Sequence, residues 1–347
     1  MTATQQTRRV WRTDKAGDLR RLTLRHEALP TLQAQHIRVR VHAVGLNFAD
    51  IFALAGLYSA TPEGSFIPGL EFAGEVIALG DEAQGLEPGT RVYGCIRFGG
   101  YSDTVDVLPQ HCRPLPGNWS FAEGAAYPVQ TLTACYALQH LAAVRPGQQV
   151  LVHSAAGGVG LQAMRMCRIL QVNPIGTVRD TRKAALLRDQ GFDEVIVRGD
   201  NFAAQLARQL RGRSLNAVLD GIGGALQRAS FEALAPTGRL VVFGAAEFTP
   251  AVNGAARIAW ALKALWRYRQ RPRYDAMEMI SANKSVLAFN LIWLWQEQAL
   301  FDELLDTCEA MHLPPPLVGH RFAFDEAHRA LECLRSGTST GKVVLEI

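Results

Sequence analysis

The feature that most constrains the fold is a regular alternation of strand-like and helix-like segments between residues 149 and 244. Short apolar segments rich in β-branched residues predict buried strands at 149–153, 174–178, 193–197, 215–220 and 239–244. Segments with apolar residues at helical spacing predict helices between them, at 161–170, 182–190, 201–210 and 226–234. Strand–helix alternation of this length favours an α/β fold with a doubly wound parallel sheet.

A glycine-rich turn joins the first of these strands to the first helix and spans residues 154–160, Ser-Ala-Ala-Gly-Gly-Val-Gly. It matches the dinucleotide-binding fingerprint with Ala155 at the first glycine position. Gly157 would let backbone amides approach a pyrophosphate, and Gly160 would let the helix pack closely on the strand. A tight turn needs glycine in any case, but the strand–turn–helix context favours a nucleotide. The candidate cofactor-binding residues in this turn are Ala156, Gly157, Gly158 and Val159.

The end of the second strand indicates which nucleotide is bound. NAD sites place an acidic residue there for the ribose 2′-hydroxyl, whereas this chain has Arg179, followed by Arg182 and Lys183. Cations at this point would pair with a 2′-phosphate, so the sequence predicts NADPH with Arg179 and Lys183 as ligands. Asp180 is the one acidic residue at this point, and a turn-capping role would explain it. A solvated helix start is an equally good explanation of Arg182.

Two later glycine turns follow strands of the same predicted sheet, at 220–224 and 243–245. The carboxyl ends of parallel strands share one edge, where ligands bind in open α/β sheets. Gly221, Gly223, Phe243 and Gly244 are therefore further candidate cofactor-binding residues, although ordinary turns would also use glycine here.

The first third of the chain has a different pattern, with alternating segments at 36–45, 72–80 and 91–94 that predict strands. A length of 347 residues favours two domains, and 48% hydrophobic with 20% charged residues excludes a disordered or fibrous chain. No apolar segment approaches the roughly 20 residues that span a bilayer, and the first residues lack the apolar core of a secretory signal. The six cysteines show no metal or disulfide spacing. We therefore expect a soluble protein of a reducing compartment, the cytoplasm.

A basic insertion interrupts the pattern after the last predicted strand. Residues 251–273 hold six basic side chains and no acidic one, so the net charge of +4 is concentrated there. Ile258, Ala261, Leu262 and Leu265 would share one face of an amphipathic helix. Such a helix could contact anionic lipid or RNA, but a solvated helix covering the domain cleft or a partner subunit is the favoured explanation. Beyond it, 285–295 predicts another buried strand and 298–311 a helix.

Motifs along nearly the whole chain resemble the medium-chain dehydrogenase/reductase superfamily, and within it the zinc-free quinone oxidoreductases. The motifs that carry the resemblance occur in the family's order, at 45–58, 68–76, 98–107, 125–138, 144–160, 219–224 and 339–347. The segment 253–291 is similar to an insertion in the branch related to synaptic vesicle membrane protein VAT-1.

The resemblance implies the domain organisation. It gives a GroES-like β domain over residues 1–127, completed by about 312–347, which would hold the substrate. A Rossmann-like NADPH-binding domain would span 128–311 and contain the basic helical insertion at about 250–284. Homodimerisation is expected from the family, with the sheets joined edge to edge through 285–295, because an exposed apolar edge strand would be a liability.

Zinc alcohol dehydrogenases of this superfamily have a cysteine where this chain has Asn47, and Gly-His-Glu where it has Gly69-Leu70-Glu71. The four closely spaced cysteines of their structural zinc lobe are also missing from the sequence. The sequence therefore predicts no metal. Hydride transfer would go to an acceptor that needs no Lewis acid, such as a quinone or an α,β-unsaturated carbonyl.

The resemblance also implies roles for individual residues near the nicotinamide. Asn47 and Tyr58 are the catalytic candidates, as donors to the acceptor oxygen, although a turn cap and simple packing would also explain them. Asp50 would orient the Asn47 loop. The residues matching cofactor contacts in the family are Thr133, Phe289, Asn290, Leu291 and Lys342. Arg198 stands where relatives often have a tyrosine for the NADP phosphate, and a guanidinium could bind that phosphate as well.

The leading hypothesis is thus an NADPH-dependent reductase of quinones or conjugated carbonyls. Two alternatives stay open: an enoyl-thioester reductase, and a nucleotide-regulated membrane- or RNA-binding protein with little turnover. We expect a small-molecule partner and a homodimer, no nucleic acid and no stable membrane insertion. The histidines, His42 and His153 among them, show no triad or metal spacing and are expected to be ordinary strand residues.

Overall fold

The alternating segments of the first third form strands because their apolar side chains can then share one buried face. The computed structural model describes residues 6–249 and 254–347. Its first strands and helices are β1 (Thr7–Arg12), β2 (Thr23–Ala28), β3 (Ile37–Gly45), α1 (Phe48–Leu54), β4 (Glu71–Leu79), β5 (Arg91–Cys95), β6 (Thr104–Val107), β7 (Cys112–Pro114) and α2 (Phe121–Ala125).

The middle of the chain contains the predicted alternation. It begins with α3 (Pro128–Cys135) and a π-helical turn at Tyr136–Leu141. The elements that follow are β8 (Gln149–Val152), α4 (Gly158–Ile169), β9 (Asn173–Val178), α5 (Thr181–Asp189), β10 (Val195–Val197), α6 (Phe202–Leu210), β11 (Leu215–Asp220), α7 (Gly224–Ala233), β12 (Leu234–Val242), α8 (Gly254–Arg269), α9 (Ala276–Ala282), β13 (Ser285–Ala288) and α10 (Gln298–Ala310). The last elements are β14 (Val318–Ala323), α11 (Ala327–Arg335) and β15 (Lys342–Glu346).

The chain divides into two compact units. Unit 1 is Met1–Val129 with Pro315–Ile347, and unit 2 is Gln130–Pro314. The sequence predicts the domain boundaries between residues 127 and 128 and between residues 311 and 312.

Unit 1 is built on a seven-stranded sheet in the order β14-β15-β3-β4-β5-β7, with β6 also paired to β3, and on the separate hairpin β1-β2. The C-terminal strand β15 runs antiparallel to β3, with Val344 opposite Gly45. The end of the chain therefore completes the first unit, as the resemblance implied.

Unit 2 contains a six-stranded sheet in the order β10-β9-β8-β11-β12-β13, in which every pair is parallel. This is the strand order of a doubly wound dinucleotide-binding sheet, so the predicted fold class is confirmed. A cluster of fully or nearly buried apolar residues packs helices onto it, including Leu151, Ile175, Val218, Leu240, Phe202 and Leu206.

The predicted strand at 285–295 is correct only in its first part. Strand β13 ends at Ala288, and Leu291–Gln296 is a 3-10 helix that starts beyond Asn290. Leu291, Ile292 and Leu294 are all buried there. A strand would place Leu291 and Ile292 on opposite faces, whereas a helical turn can bury both. Strand β13 does lie at the edge of the sheet, as expected.

The basic insertion contains helices α8 and α9. Residues 250–253 and the side chains of Arg257, Ile258 and Ala261 lie outside the described part of the chain. Leu262 and Leu265, on the predicted apolar face, are 65% and 51% exposed in the isolated chain.

Candidate functional site

The β8–α4 turn has the conformation that the fingerprint predicts. The Gly157 amide donates to the Ser154 carbonyl at 2.8 Å, and helix α4 starts directly after Gly157. A Cβ atom on Gly160 would lie 2.3 Å from the Ser154 carbonyl oxygen, so close packing requires glycine there. At Gly157 the nearest atom to such a Cβ is the same oxygen at 3.2 Å. Protein packing therefore excludes a side chain at Gly160, and at Gly157 a Cβ would make one tight contact, with the Ser154 carbonyl oxygen.

The alanine at the first fingerprint position is accommodated by the neighbouring strand. Ala155 is fully buried and its amide donates to the Thr177 carbonyl at 3.0 Å. A Cβ on Gly176 of β9 would lie 2.9 Å from the Ala155 Cβ. Glycine in β9 thus makes space for the methyl group, a compensation that the turn sequence alone did not reveal. Of the other turn candidates, Ala156 is buried and Val159 is half-buried.

Cations from the ends of β9 and β10 are brought close enough to interact. Arg179 follows β9 and is exposed, Lys183 is on the first turn of α5, and the Arg198 amide donates to the Val178 carbonyl at 3.0 Å. Burial lowers the pKa of Lys183. The Asp180 carboxylate raises this pKa, and the neighbouring Arg182, Arg179 and Arg198 lower it further. Burial, and then Arg179, also lower the pKa of Arg198.

Asp180 lies beside this cluster and caps the helix that follows it. Its Oδ1 accepts the backbone amide of Lys183 at 2.9 Å and caps α5. Asp180 thus caps α5, and Arg179, Lys183 and Arg198 lie close enough together to repel one another. An anion would relieve the repulsion among these cations.

The two later glycine turns are joined by backbone hydrogen bonds. The Phe243 amide donates to the Asp220 carbonyl at 3.0 Å, and the Ala246 amide donates to the Gly221 carbonyl at 3.0 Å. The buried Asp220 carboxylate shapes the first turn, accepting the Ile222 amide at 2.8 Å and the Gly223 amide at 3.2 Å. Gly221, Gly223, Phe243 and Gly244 therefore belong to one rim of the sheet.

An aromatic group lies beyond the ends of β12 and β13. The Phe289 ring centroid is 6.2 Å from that of Phe243 and 4.9 Å from that of Tyr136. Asn290 precedes the 3-10 helix, whose first residue Leu291 is buried. Tyr136 was missed from the sequence because its position depends on the π-helical turn.

Thr133 lies on α3 and is 7% exposed, so little of it is open to solvent in the isolated chain.

A buried network in unit 1 surrounds Asn47, which starts α1. The Asn47 Nδ2 donates to Glu71 Oε1 at 2.8 Å, and its Oδ1 accepts from Lys342 Nζ at 2.8 Å. Lys342 also forms an ion pair with Glu71, whose other oxygen accepts the Val129 amide at 2.8 Å. The Lys342 and Glu71 side chains are 5% and 0% exposed. The structure thus places Lys342, predicted as a cofactor contact, beside the catalytic candidate Asn47.

Asp50 holds the backbone of the Asn47 loop, as expected. Its Oδ2 accepts the Asn47 amide at 2.8 Å and the Tyr101 hydroxyl at 3.2 Å. Burial raises the pKa of Asp50 to about 7. Tyr58, the other catalytic candidate, is half-buried in the turn after α1, where its carbonyl accepts the Thr61 hydroxyl at 2.6 Å.

The histidines have structural surroundings. His153 is buried between the Thr177 hydroxyl at 2.9 Å and the Ser230 hydroxyl at 2.8 Å. Burial lowers the pKa of His153 to about 3, so the ring is neutral. His42 stacks on Phe121 at 4.4 Å between ring centroids.

In residues 6–249 and 254–347, no group of three or more His, Cys, Asp or Glu side chains could hold a metal ion. Within the same residues, no helix is both long enough and apolar enough to cross a membrane.

Comparison with known proteins agrees with this architecture. The family model described as "Alcohol dehydrogenase GroES-like domain" matches residues 33–135, and the one described as "Zinc-binding dehydrogenase" matches 190–345. Quinone oxidoreductase-like protein 2 from Bos taurus is 30% identical over 100% of this chain and 95% of its own length. The quinone oxidoreductase from Thermus thermophilus, solved alone and in complex with NADPH, is 30% identical with a TM-score of 0.78, covering 98% of this chain and 100% of that one.

The chain therefore belongs to the medium-chain dehydrogenase/reductase superfamily, as an oxidoreductase of the quinone oxidoreductase and VAT-1 type. The synaptic vesicle membrane protein VAT-1 homolog from Danio rerio is 29% identical over 91% of this chain. This chain spans 65% of the length of that relative.

Proposed function

We propose that the protein transfers hydride from NADPH to a quinone or an α,β-unsaturated carbonyl, without a metal. The observation that carries this proposal is the cation cluster of Arg179, Lys183 and Arg198 beside a glycine-rich dinucleotide turn. The quinone oxidoreductase of Thermus thermophilus, which forms a complex with NADPH, supports the choice of cofactor.

The residues of unit 2 fit NADPH in two respects. The side-chain-free backbone of Gly157 at the start of α4 suits a pyrophosphate at a helix N-terminus. The clustered cations Arg179, Lys183 and Arg198 suit the 2′-phosphate. We assign the nicotinamide contacts to Thr133, Phe289, Asn290 and Leu291, with Phe243 at the same rim.

When bound, NADPH supplies the hydride. The protein's own task is then to stabilise the negative charge that develops on the acceptor oxygen. We assign this to Asn47, whose amide has two hydrogens. One is bonded to Glu71 at 2.8 Å, and the other has only a long contact, 3.4 Å, with the Gly45 carbonyl. An acceptor oxygen could replace that long contact. The Tyr58 hydroxyl is the second proposed donor.

The contacts of Glu71 support a mechanism without a metal. Its carboxylate occupies the position corresponding to the glutamate of the Gly-His-Glu motif in zinc dehydrogenases. Here Lys342 forms an ion pair with this carboxylate, and Asn47 donates a hydrogen bond to it. The buried Lys342 ammonium therefore balances the negative charge of the Glu71 carboxylate, which then needs no metal cation to balance it.

The test is steady-state oxidation of NADPH with a panel of acceptors: ortho- and para-quinones, 2-alkenals and a crotonyl thioester. Turnover with a quinone or alkenal, reduced about tenfold or more in kcat by Asn47→Ala, is the expected result. Turnover of the crotonyl thioester alone would favour the enoyl-thioester alternative. Tight NADPH binding without any turnover would favour the nucleotide-regulated binding protein.

We also propose that the protein is a homodimer joined through β13. This strand is the edge of the unit 2 sheet, so one row of its backbone groups is available to a second copy. Light scattering coupled to size exclusion should give the mass of two chains, and Val286→Pro, which removes an amide from the edge strand, should give the mass of one. A monomeric wild-type protein at micromolar concentration would contradict the proposal. The cytoplasmic location stays a prediction.

A further inference from the structure

A second concave site lies in unit 2 and contains none of the residues assigned to the cofactor. It is a cavity of about 730 Å³ between the end of α7, the α8–α9 connection and α9. Cavities of roughly 300–1,000 Å³ are typical of small-molecule sites. Its size is therefore sufficient for a ligand larger than a single ion.

The cavity is lined by an excess of positive charge. The cationic side chains in its wall are Arg228, Arg269, Arg271, Arg273 and Lys284, and the acidic ones are Glu232, Asp275 and Glu278. Among the residues that the structure describes, none of these five cations forms an ion pair with a carboxylate. The positive charge of the wall is thus uncompensated by direct contacts, although acidic side chains are nearby.

Three of the cations donate hydrogen bonds to backbone carbonyls, which position them without neutralising them. Arg228 donates to the Gln270 carbonyl at 3.1 Å, and Arg271 donates to the Tyr268 carbonyl at 2.7 Å. Lys284 donates to the Glu232 carbonyl at 2.9 Å. Each carbonyl is neutral, so the full charge of the cation remains.

One of the acidic groups has a separate structural role. The Asp275 carboxylate caps α9 and accepts the Met277 amide at 2.8 Å. The wall therefore retains a net positive potential that favours an anion, and guanidinium groups match the geometry of a phosphate in particular.

Aromatic and apolar side chains form another part of the wall. The Phe231 and Tyr274 rings meet edge to face with centroids 4.7 Å apart, and Lys284 Nζ lies 5.5 Å from the Phe231 centroid. Met279 and Ala282 complete this side. Such a surface packs well against a flat ring.

We propose that this cavity binds a small phosphorylated compound with an aromatic ring. The phosphate is held by Arg271 and Arg273, and the ring lies against Phe231 and Tyr274. The site is separate from the proposed dinucleotide site, so both ligands bind at once.

The experiment is isothermal titration of the full chain with 1-naphthyl phosphate, in the presence of saturating NADPH. Parallel titrations use inorganic phosphate and 1-naphthol, which carry the two halves of the probe. The expected result is that naphthyl phosphate binds at least about tenfold more tightly than either half. Arg271→Gln with Arg273→Gln should raise its Kd about tenfold or more, because two charged hydrogen-bond donors are lost. Arg188→Gln, which removes an exposed arginine on α5 outside the cavity wall, is the matched control and should leave the Kd unchanged.

Three results would overturn the proposal: no binding of naphthyl phosphate, equal Kd values in wild type and the double variant, or binding seen only when NADPH is omitted. The last result would place the probe in the dinucleotide site. Circular dichroism and the melting temperature of the double variant show whether the variant is folded. If the double variant is unfolded, Arg273→Gln alone is titrated instead. A raised Kd for naphthyl phosphate in this folded single variant supports the site, and an unchanged Kd overturns it.

Discussion

Replacement of Lys342 by methionine tests the buried network around Asn47. The variant keeps most of the side-chain volume but leaves the Glu71 carboxylate, 0% exposed, without its cation. Glu71 would retain its hydrogen bonds from Asn47 and from the Val129 amide. Breaking a buried ion pair by removing one partner costs about 3–5 kcal/mol. Since two hydrogen bonds remain, we expect a loss of about 3 kcal/mol in the free energy of unfolding, at the lower end of that range.

The assay is urea-induced unfolding followed by tryptophan fluorescence. The double variant Lys342→Met with Glu71→Gln removes both charges, and we expect it to recover about 2 kcal/mol relative to the sum of the single variants. Arg321→Met is the control, because Arg321 and Glu346 form an exposed pair in the same unit, at 46% and 44% exposure. A surface pair contributes about 0–1 kcal/mol. The reasoning is refuted if Lys342→Met costs no more than Arg321→Met, or if the two substitutions in the network are additive.

Three further predictions concern unit 2. Burial holds the pKa of His153 at about 3, below its unfolded value of about 6.5. As the pH falls, the unfolded state therefore binds a proton before the folded state does. The contribution of neutral His153 to the free energy of unfolding is fully present above pH ~6.5 and falls by about 3 kcal/mol by pH ~4. Urea unfolding above pH ~6.5 and at pH ~4 should show that His153→Gln loses less stability on acidification than wild type. Equal losses would contradict the lowered pKa of His153. Gly160→Ala should destabilise by about 1–3 kcal/mol, because its Cβ would lie 2.3 Å from the Ser154 carbonyl oxygen. Gly157→Ala, with its Cβ 3.2 Å from the same oxygen, should lower the melting temperature less and raise the Kd for NADPH. Equal melting temperatures for these two variants would count against the packing argument. The Tyr274 hydroxyl is buried without a hydrogen-bond partner in the described part of the chain, so Tyr274→Phe should raise the free energy of unfolding by about 1 kcal/mol. A loss of stability on urea unfolding would show that the hydroxyl is satisfied.

The fold of unit 2 could be predicted because its signals are local. Each strand and helix between Gln149 and Val242 has its own apolar periodicity, and the glycine turn marks where the first helix begins. The prediction of one strand over 285–295 was wrong after Ala288, because the apolar residues there are consistent with either a strand or a buried helical turn. Their neighbours decide between the two, and the sequence segment does not contain those neighbours.

The site was predictable only in part. Arg179 and Lys183 were predicted from their positions after a strand, and Arg198 from the family resemblance. The pairing of Lys342 with Glu71 and Asn47 was not, because it joins residues from opposite ends of the chain through the antiparallel pairing of β15 with β3. The contact of Gly176 with Ala155 was also missed, because it depends on the register of β8 and β9. Such contacts depend on sheet register, for which a single sequence carries little information.

The most direct test of the proposed function is the ratio of kcat/KM for NADPH to that for NADH, measured with one quinone that is turned over. We predict a ratio of at least about 100 in the wild-type protein, from charged contacts to the 2′-phosphate that NADH lacks. In the double variant Arg179→Ala with Arg198→Ala, the ratio should fall towards one. The cause should be a higher KM for NADPH, while kcat/KM for NADH is unchanged. Equal use of the two nucleotides by wild type, or a preference that survives in the double variant, would contradict the account.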